Sequence, residues 1–330
     1  MSNNLKENPL VSICIPAYNV ENYIKDTLTN ILSQSYSNIE IIIVNDGSTD
    51  NTLDIINSID DKRMKVFSQQ NNGASSARNL AFKYSSGSLI KFMDADDLLS
   101  NNFIFDQVIS LNNNNNIASG SWGRFTKNDL SDFKLSPEKV WKTMAGIDWL
   151  IESLYSSGVN MTPPSLFLIP RILIEKNGVW NEKLSLIDDF EFMTRMITNC
   201  HKIVYCESSI LYYRSGIETS LSNQKSRKHY ESAQLSVRLG IQHILSKDNS
   251  NKAKLACANS LQVWIYEFYP NYKDLSKVLI EKSKELGGAN IKYHGGRLLN
   301  IFKFILGWKL AKRLQLLFWN LRYSNRKRLF

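Results

Sequence analysis

The sequence predicts an α/β protein with a mostly parallel, Rossmann-like sheet and a helical C-terminal region. Through about residue 95, short apolar runs rich in β-branched residues alternate with segments of helical periodicity. Such alternation implies a parallel sheet whose two faces are covered by helices. The chain has 330 residues, of which 43% are hydrophobic, so it can form one large domain with an appended region.

Four apolar runs are the predicted strands of this sheet, at residues 10–15, 39–44, 64–67 and 88–93. Helical spacing predicts helices over 23–32 and 74–84. A further helix is expected after the second strand, capped by Ser48, Thr49 or Asp50.

The first, second and fourth of these strands each end in a polar cluster. The clusters are Pro16–Asn19, Asn45–Ser48 and Asp94–Asp97. Ligands of open parallel sheets bind beyond the carboxyl ends of the strands. The three clusters are therefore expected to converge on one edge of the sheet.

The pattern becomes less regular after the Asn-rich run 112–116, which is typical of a solvated turn. Helices are predicted over 141–155, 189–198, 230–245 and 253–269, and strands over 203–206 and 210–213.

The charge of the chain is unevenly distributed. The formal net charge is +9, yet ten Lys or Arg residues and no acidic residue follow Glu285, so the body is near neutral. The four cysteines show neither a CxxC pair nor metal-ligand spacing, and the polar N-terminus lacks the apolar run of a secretion signal. No stretch has the length and apolarity of a spanning helix. We expect a cytoplasmic protein that is neither exported nor integral to a membrane.

An acidic triplet directly follows the fourth strand. Asp94, Asp96 and Asp97 repel one another unless a cation or hydrogen-bond donors compensate their charge. Mg²⁺ and Mn²⁺ prefer oxygen ligands and commonly bind through one or two carboxylates plus substrate phosphates. The triplet predicts a divalent-metal site; the alternative is an acidic turn that caps the following helix.

Four segments together resemble, in order and spacing, the large inverting glycosyltransferase family 2. They are Val11–Asn19, Val44–Asp50, Asn72–Asn79 and Asp94–Asp97. The resemblance is close over about the first 110 residues and implies the GT-A fold of nucleotide-diphospho-sugar transferases.

The resemblance also implies a division of the chain. A catalytic domain is expected at 1–225, with nucleotide-sugar binding in 1–110 and the acceptor side in 111–225. A helical region is expected at 226–330, of which about 291–330 forms a basic amphipathic tail.

The resemblance implies nucleotide-binding roles for individual residues. Pro16 and Tyr18 match positions that line the nucleotide pocket, and Asp46 matches the carboxylate that hydrogen-bonds the base. Arg78 is placed to contact the nucleotide or its phosphates, because its fork of donors stays charged. The structural alternatives are a half-buried strand-end aromatic for Tyr18, a turn residue for Asp46 and a surface helix arginine for Arg78.

Within the acidic triplet, Asp94 matches the residue near the ribose and Asp96 matches the direct ligand of Mn²⁺ or Mg²⁺. Asp97 is expected beside that ligand or facing the acceptor.

A second region resembles the acceptor-side segment of the family. Gly178–Leu184 is followed by the acidic pair Asp188-Asp189, where the family more often has Glu-Asp. The second acid of that pair is the catalytic base, so the role falls on Asp189; the alternative is a helix N-cap. The implied reaction is one displacement that inverts the anomeric centre. The metal neutralises the leaving nucleoside diphosphate, while Asp189 takes the proton from an acceptor hydroxyl.

One position departs from the pattern. Many relatives place a His after the tyrosine-rich strand that corresponds to Leu211–Ser215, and this chain has none at 215–219. Arg214 is a candidate for the positive charge at the diphosphate; the alternative is an outward strand residue.

The basic tail interleaves large apolar residues with Lys and Arg from Arg297 to Tyr323 and ends in Arg326-Lys327-Arg328. This pattern is typical of a helix in a membrane interface, so we expect peripheral association with the anionic inner face of the cell membrane. A terminal helix packed on the domain is the alternative. Because the basic residues alternate with lipophilic ones, no nucleic-acid partner is expected.

The resemblance implies two partners. One is a nucleotide-sugar donor, for which a UDP linkage is expected. The other is a glycan or polyprenyl-diphosphate-linked glycan acceptor, as in bacterial capsule, O-antigen or exopolysaccharide synthesis. A sugar nucleotidyltransferase is one alternative. Enzymes of that class share a Gly-rich, Arg-containing loop after the first strand, and Pro16–Asn19 does not supply one. A non-catalytic nucleotide-sugar-binding scaffold is another. The residues that select sugar and acceptor fall in the irregular region after Asp97.

Overall fold

The computed structural model describes residues 8–111, 113–127, 129–217, 226–293 and 307–317. The chain divides into two compact units. The first contains residues up to 153 and 160–249, and the second contains 154–159 and the residues from 250 onward. The predicted boundary after residue 225 falls in the stretch 218–225, outside the described residues, and stays a prediction.

The strands are β1 (Val11–Ala17), β2 (Ile39–Asn45), β3 (Met64–Ser68), β4 (Leu89–Phe92), β5 (Leu98–Leu99), β6 (Ile117–Phe125), β7 (Lys134–Leu135), β8 (Met144–Ala145), β9 (Ile169–Pro170) and β10 (Lys202–Arg214). The helices are α1 (Ile24–Leu32), α2 (Thr52–Asn57), α3 (Ala74–Tyr84), α4 (Phe103–Ser110), α5 (Gly146–Tyr155), α6 (Arg171–Asn177), α7 (Asp188–Asn199), α8 (Arg227–Lys247), α9 (Asn251–Phe268) and α10 (Lys273–Glu285).

The first sheet of the first unit has the order β3-β2-β1-β4-β9. Its first four strands run parallel, and β9 joins the edge antiparallel to β4. Every residue of β2 is buried, as the apolar pattern of a strand covered on both faces requires. The predicted parallel α/β sheet is confirmed, and its carboxyl edge carries the loops that end β1, β2 and β4.

The second sheet has the order β5-β10-β6-β7, with β8 also paired to β10. Two separate strands were expected at 203–206 and 210–213, but β10 is one strand whose register shifts between Cys206 and Ile210. The polar residues between those two interrupt the apolar pattern, and a bulge accommodates them. The sequence did not predict β6, because its small residues, such as Gly120 and Gly123, give a weak strand signal.

The C-terminal helices divide between the two units. Both predicted helices are confirmed: α8 groups with the first unit, and α9 groups with the second together with α10. Residues 307–317 of the predicted tail are helical, whereas 294–306 and 318–330 lie outside the described residues. Among the residues that are described, no helix has the length and apolarity needed to cross a membrane.

Candidate active site

The loops that follow β1 and β2 are tied to each other by hydrogen bonds. The backbone N–H of Asn19 donates to Ser48 Oγ at 3.1 Å, and the N–H of Thr49 donates to Asn19 Oδ1 at 2.8 Å. Pro16 lies at the end of β1, and the Tyr18 side chain is 46% exposed at the rim. Two of the three polar clusters predicted to converge are therefore in contact.

Asp46 is buried at the end of β2 and accepts three hydrogen bonds. Its Oδ1 accepts from Gln69 Nε2 at 2.7 Å and from the N–H of Asn72 at 2.9 Å, and its Oδ2 accepts from the N–H of Gly73 at 2.9 Å. The next residue, Gly47, has φ +73, and a Cβ there would stand 2.8 Å from a backbone nitrogen. Asp46 thus fixes the loop that begins α3; its contact with a base stays a prediction.

Arg78 joins two acidic segments that are far apart in the chain. Its Nη2 lies 2.8 Å from Asp94 Oδ1, and its Nη1 lies 2.9 Å from Asp188 Oδ2. The guanidinium also lies over the Trp180 ring, 4.4 Å from the centroid. Burial disfavours its charge, but Asp188 and Asp94 outweigh burial and raise the pKa of Arg78. Arg78 is buried, so the surface-helix alternative is wrong, whereas its contact with the donor stays a prediction.

Asp188 is a residue to which the sequence assigned no role. Its Oδ2 also accepts from Ser75 Oγ at 2.7 Å, and its Oδ1 accepts from the N–H of Asp189 at 3.0 Å. Burial raises the pKa of Asp188, although Arg78 opposes that rise. Asp188 therefore anchors the start of α7 to α3, next to the predicted base.

The acidic loop 94–97 holds carboxylates whose charge is poorly compensated. Burial and then Asp94 raise the pKa of Asp96 to about 7, and Arg214 opposes the rise. Burial and then Asp96 raise the pKa of Asp97 well above its ordinary value. Within the described residues, the Asp96 carboxylate accepts no hydrogen bond from another residue.

Arg214 packs beneath this loop rather than pointing outward. Its backbone N–H donates to Asp97 Oδ1 at 3.1 Å, and its side-chain Nε donates to the backbone oxygen of Asp96 at 2.8 Å. The guanidinium lies between the rings of Tyr23 and Phe125, at 5.0 and 4.6 Å from their centroids. The outward-residue alternative is wrong, because Arg214 is buried. It lines a cavity of about 310 Å³ that Tyr23 also lines.

The donor set of this loop fits a cation that shares its coordination with phosphates. Across the part of the chain that is described, no three His, Cys, Asp or Glu side chains form a ready-made metal cage. Mg²⁺ seldom needs one, because it commonly binds through one or two carboxylates plus substrate phosphates. Asp96, with its raised pKa and uncommitted carboxylate, and the neighbouring Asp94 are suitable ligands.

Asp189 lies in the first turn of α7, one residue after Asp188, which pairs with Arg78. Burial and then Asp188 raise the pKa of Asp189 to about 7, and Arg78 opposes the rise. Thr162 Oγ1 lies 3.4 Å from Asp189 Oδ2. A carboxylate whose pKa lies near 7 has the properties of a general base at neutral pH.

The turn before Asp189 is held by α8. Ile187 adopts a left-handed conformation with φ 53, which is strained for a β-branched residue. Ser236 Oγ donates to the backbone oxygen of Ile187 at 2.6 Å, and Ser232 Oγ accepts from the N–H of Ser185 at 2.7 Å. One helical turn after Ser236, Gly240 lets α8 approach α7, because a Cβ would stand 2.4 Å from the ring of Phe190.

The charges of the acidic loop and of the predicted base both affect Tyr213. Burial raises the pKa of Tyr213 above its ordinary value. Four carboxylates add to that rise, namely Asp97, Asp94, Asp96 and Asp189. The charges of the acidic loop and of Asp189 therefore act on the same side chain of β10.

Sequence reasoning missed the segment that lies beneath these carboxylates. Ser165 Oγ accepts from the N–H of Asp94 at 2.9 Å, and Thr162 contacts Asp189. The Pro163-Pro164 pair marks this stretch as irregular, but nothing in the sequence indicates which loop it supports.

Comparison with known proteins shows which family the chain belongs to. The family model described as "Glycosyl transferase family 2" matches residues 12–164. An uncharacterized glycosyltransferase of Haemophilus influenzae is 30% identical over 223 residues, which cover 66% of this chain and 83% of that protein. The chain belongs to glycosyltransferase family 2. Glycosyltransferase GlyG of Streptococcus pneumoniae is also 30% identical to it, over 224 residues that cover 70% of GlyG.

A solved structure supports the fold of this family 2 glycosyltransferase. S. aureus TarS 1–349 in complex with UDP-GlcNAc matches with a TM-score of 0.58 and 18% identity, covering 87% of this chain and 97% of that one. The predicted GT-A fold is confirmed. The family also decides against the sugar nucleotidyltransferase alternative.

Proposed function

We propose that this glycosyltransferase moves a sugar from a nucleotide diphosphate to a hydroxyl of a glycan or lipid-linked glycan, with inversion of the anomeric centre. The observation that carries the proposal is the bridge of Arg78, which lies 2.8 Å from Asp94 of the acidic loop and 2.9 Å from Asp188, the residue before Asp189. Donor-side and base-side carboxylates are thereby held close together, as a single displacement requires.

Asp189 is the proposed base. In the transfer step the acceptor oxygen forms a bond to the anomeric carbon, the bond from that carbon to the diphosphate oxygen breaks, and the acceptor proton moves to Asp189. The pKa of about 7 keeps much of the carboxylate ionised at neutral pH while leaving it basic enough to accept that proton. Arg78 holds Asp189 in position through Asp188.

The donor is held from the other side of the site. When bound, Mn²⁺ or Mg²⁺ neutralises the charge that grows on the leaving diphosphate. Asp96, with Asp94, would hold this ion, and Arg214 would add positive charge beside the same loop. We propose a UDP-linked donor, because TarS was solved with UDP-GlcNAc. The exposed ring of Tyr18 suits stacking on a base, and Asp46 can accept from an imide N–H.

The acceptor and its setting are also part of the proposal. A lipid-linked glycan of bacterial surface-polysaccharide synthesis would bring the enzyme to the inner face of the cell membrane. The helix at 307–317 packs within the second unit through Trp308, whose ring meets those of Tyr266 and Tyr269, and through Ala311, which is fully buried. This helix therefore also satisfies the packed-tail alternative.

The other face of that helix is available to a membrane. Leu310 and Leu317 are 41% and 58% exposed, and Lys309 and Arg313 flank them. This combination of apolar and cationic residues supports binding to an anionic leaflet. The double variant Leu310→Ser, Leu317→Ser should lose flotation with anionic vesicles. Flotation equal to that of the wild type would exclude this face as the anchor.

The test of the transfer reaction is a screen of nucleotide sugars with Mn²⁺ that follows release of the nucleoside diphosphate. We expect release from at least one UDP-sugar, and its loss on addition of chelator. Release that ignores chelator would contradict the metal assignment. Binding of UDP without cleavage of any donor would favour the non-catalytic scaffold instead.

A further inference from the structure

One arginine of the second sheet has charge and donors that the fold does not use. Arg124 lies near the end of β6, where its guanidinium stands 5.4 Å from the Trp122 ring centroid and 5.1 Å from that of Tyr213. Its one polar contact within the described chain is Met161 Sδ at 4.0 Å. No carboxylate of the described residues pairs with it. The side chain is exposed, and the two rings hold it in position.

A second cation stands directly opposite. Arg124 pairs with Lys134 of the antiparallel strand β7, so both side chains leave the sheet on the same face. Like charges at directly opposite positions destabilise a sheet. Lys134 is exposed and likewise has no carboxylate partner among the described residues. The fold alone gives no reason for this pair of cations.

The pair lies at the end of the second sheet that borders the site. Arg124 pairs with Tyr213 of β10, and the next residue of β10, Arg214, binds the acidic loop. On its other side Arg124 contacts Met161, and the next residue, Thr162, reaches Asp189. Arg124 is thus connected to the proposed base through two adjacent residues, Met161 and Thr162.

We propose that Arg124, assisted by Lys134, binds an anionic group of the acceptor, a phosphate or a carboxylate, and so orients the acceptor hydroxyl toward Asp189. This inference rests on the proposed transfer reaction. A guanidinium fixed by two rings offers its fork of donors with little loss of freedom, and phosphate and carboxylate match that fork in two points.

The donor diphosphate is a poorer candidate for the ligand of Arg124. Successive side chains of a strand point to opposite faces, so Arg214 leaves β10 on the face opposite to Tyr213. Arg214 contacts the backbone of Asp96, the proposed metal ligand, and is the cation on the donor side. Arg124 lies on the face of Tyr213, and its contact with Met161 leads to Thr162 and Asp189, so it is the cation on the side of the base.

Three matched acceptors test the inference once the donor screen has identified a cleaved UDP-sugar. Each set of three is built on one common hexose, and several hexoses are tried. The first acceptor of a set is the neutral octyl glycoside, the second is the same sugar joined to octanol by a phosphodiester, and the third is the corresponding octyl uronic acid. The wild type should use one charged form with kcat/KM at least tenfold above that of the neutral form. Preference for the phosphodiester would assign the anion to a lipid carrier, and preference for the uronic acid would assign it to an acidic sugar.

The variant Arg124→Gln should lower kcat/KM for the preferred charged acceptor by about tenfold to a hundredfold, through KM, as expected for a lost charge-assisted hydrogen bond. Arg124→Lys, which keeps the charge but not the fork, should lose less, and Lys134→Gln less again. Arg227→Gln, which removes an exposed cation that pairs with Glu231 on α8, is the matched control. Thermal melts of each variant would show that the fold is kept.

Several outcomes would overturn the inference. The wild type could show no preference for a charged acceptor, or Arg124→Gln could lower the use of neutral and charged acceptors equally. If Arg124→Gln raised the Kd for UDP and left the KM for the acceptor unchanged, Arg124 would be assigned to the donor. Failure of the wild type to cleave any donor would be a failure of the transfer reaction itself, which the preceding screen detects separately.

Discussion

The loop after β2 and the acidic loop after β4 follow the two strands that flank β1, yet the charges of their carboxylates are compensated in different ways. Asp46 accepts three hydrogen bonds from its own surroundings. Asp96 accepts none from another described residue, and burial raises its pKa to about 7. A satisfied carboxylate fixes the shape of a loop, whereas an uncompensated one is suited to bind a cation. The two loops therefore contribute shape and charge separately to one site.

Among the changes that test this contrast between the two loops, the largest effect is expected from Asp96→Asn. This variant should lower metal-dependent transfer at least a hundredfold, because it removes the proposed metal ligand. The raised pKa of Asp96 means that its contribution to stability is lost as pH rises through about 7, so the variant should unfold at the same or a higher temperature above that pH. Steady-state rates and thermal melts measure both effects. Asp26→Asn, at an exposed position of α1, is the control, and a clear loss of stability in Asp96→Asn would contradict the contrast.

The Arg78 bridge should make the next largest contribution. Arg78→Met leaves the buried Asp188 and the half-buried Asp94 without their shared cation, so the free energy of unfolding should fall by about 3–5 kcal/mol. Denaturant titration measures this change. Breaking the exposed pair of Arg227 with Glu231 by Arg227→Gln should cost at most about 1 kcal/mol. Equal losses in the two variants would show that Arg78 does not act as a buried bridge.

Asp46→Asn should lower the stability of the protein, in contrast to Asp96→Asn. An amide has one acceptor oxygen, so at least one donor of the loop 69–73 loses its partner, at a cost of about 1–3 kcal/mol. The Kd for UDP should also rise. Calorimetric binding and denaturant titration check both, with Asp54→Asn, at an exposed position of α2, as the control. An unchanged unfolding midpoint would mean that Asp46 does not hold the loop.

The smallest expected effect is the response of transfer to pH. Because burial and Asp188 raise the pKa of Asp189 to about 7, the base is increasingly protonated below that pH. The rate of transfer should therefore rise with pH, by up to tenfold per unit below about pH 7, and level off above it. A pH–rate profile for kcat at saturating donor and acceptor measures this. A flat profile between pH 5 and 8 would contradict the raised pKa of the base.

The first sheet and the polar clusters at its edge could be predicted because both are local signals. β1 and β2 are continuous β-branched runs, and each is followed at once by the residues that matter. The acidic loop shares this property, since Asp94 comes two residues after β4. Local sequence was enough to place these groups along one edge.

The contacts that assemble the site could not be predicted, because they join distant parts of the chain. Arg78 and Asp188 are 110 residues apart, and no local pattern pairs them. Ser232 and Ser236 have the spacing of one helical face, but the sequence gives no sign that this face holds the turn before Asp189. The interruption of β10 has the same cause: the polar residues at 207–209 end the local pattern, whereas pairing with β6 continues on both sides of them.

The role of Asp189 as the base opposite the acidic loop is tested most directly by kcat of Asp189→Asn. We predict a loss of ~10²–10⁴ in kcat, because the amide cannot accept the acceptor's proton, with the Kd for UDP within about twofold of the wild type. A variant that transfers sugar within a few fold of the wild-type rate would show that another group takes the proton.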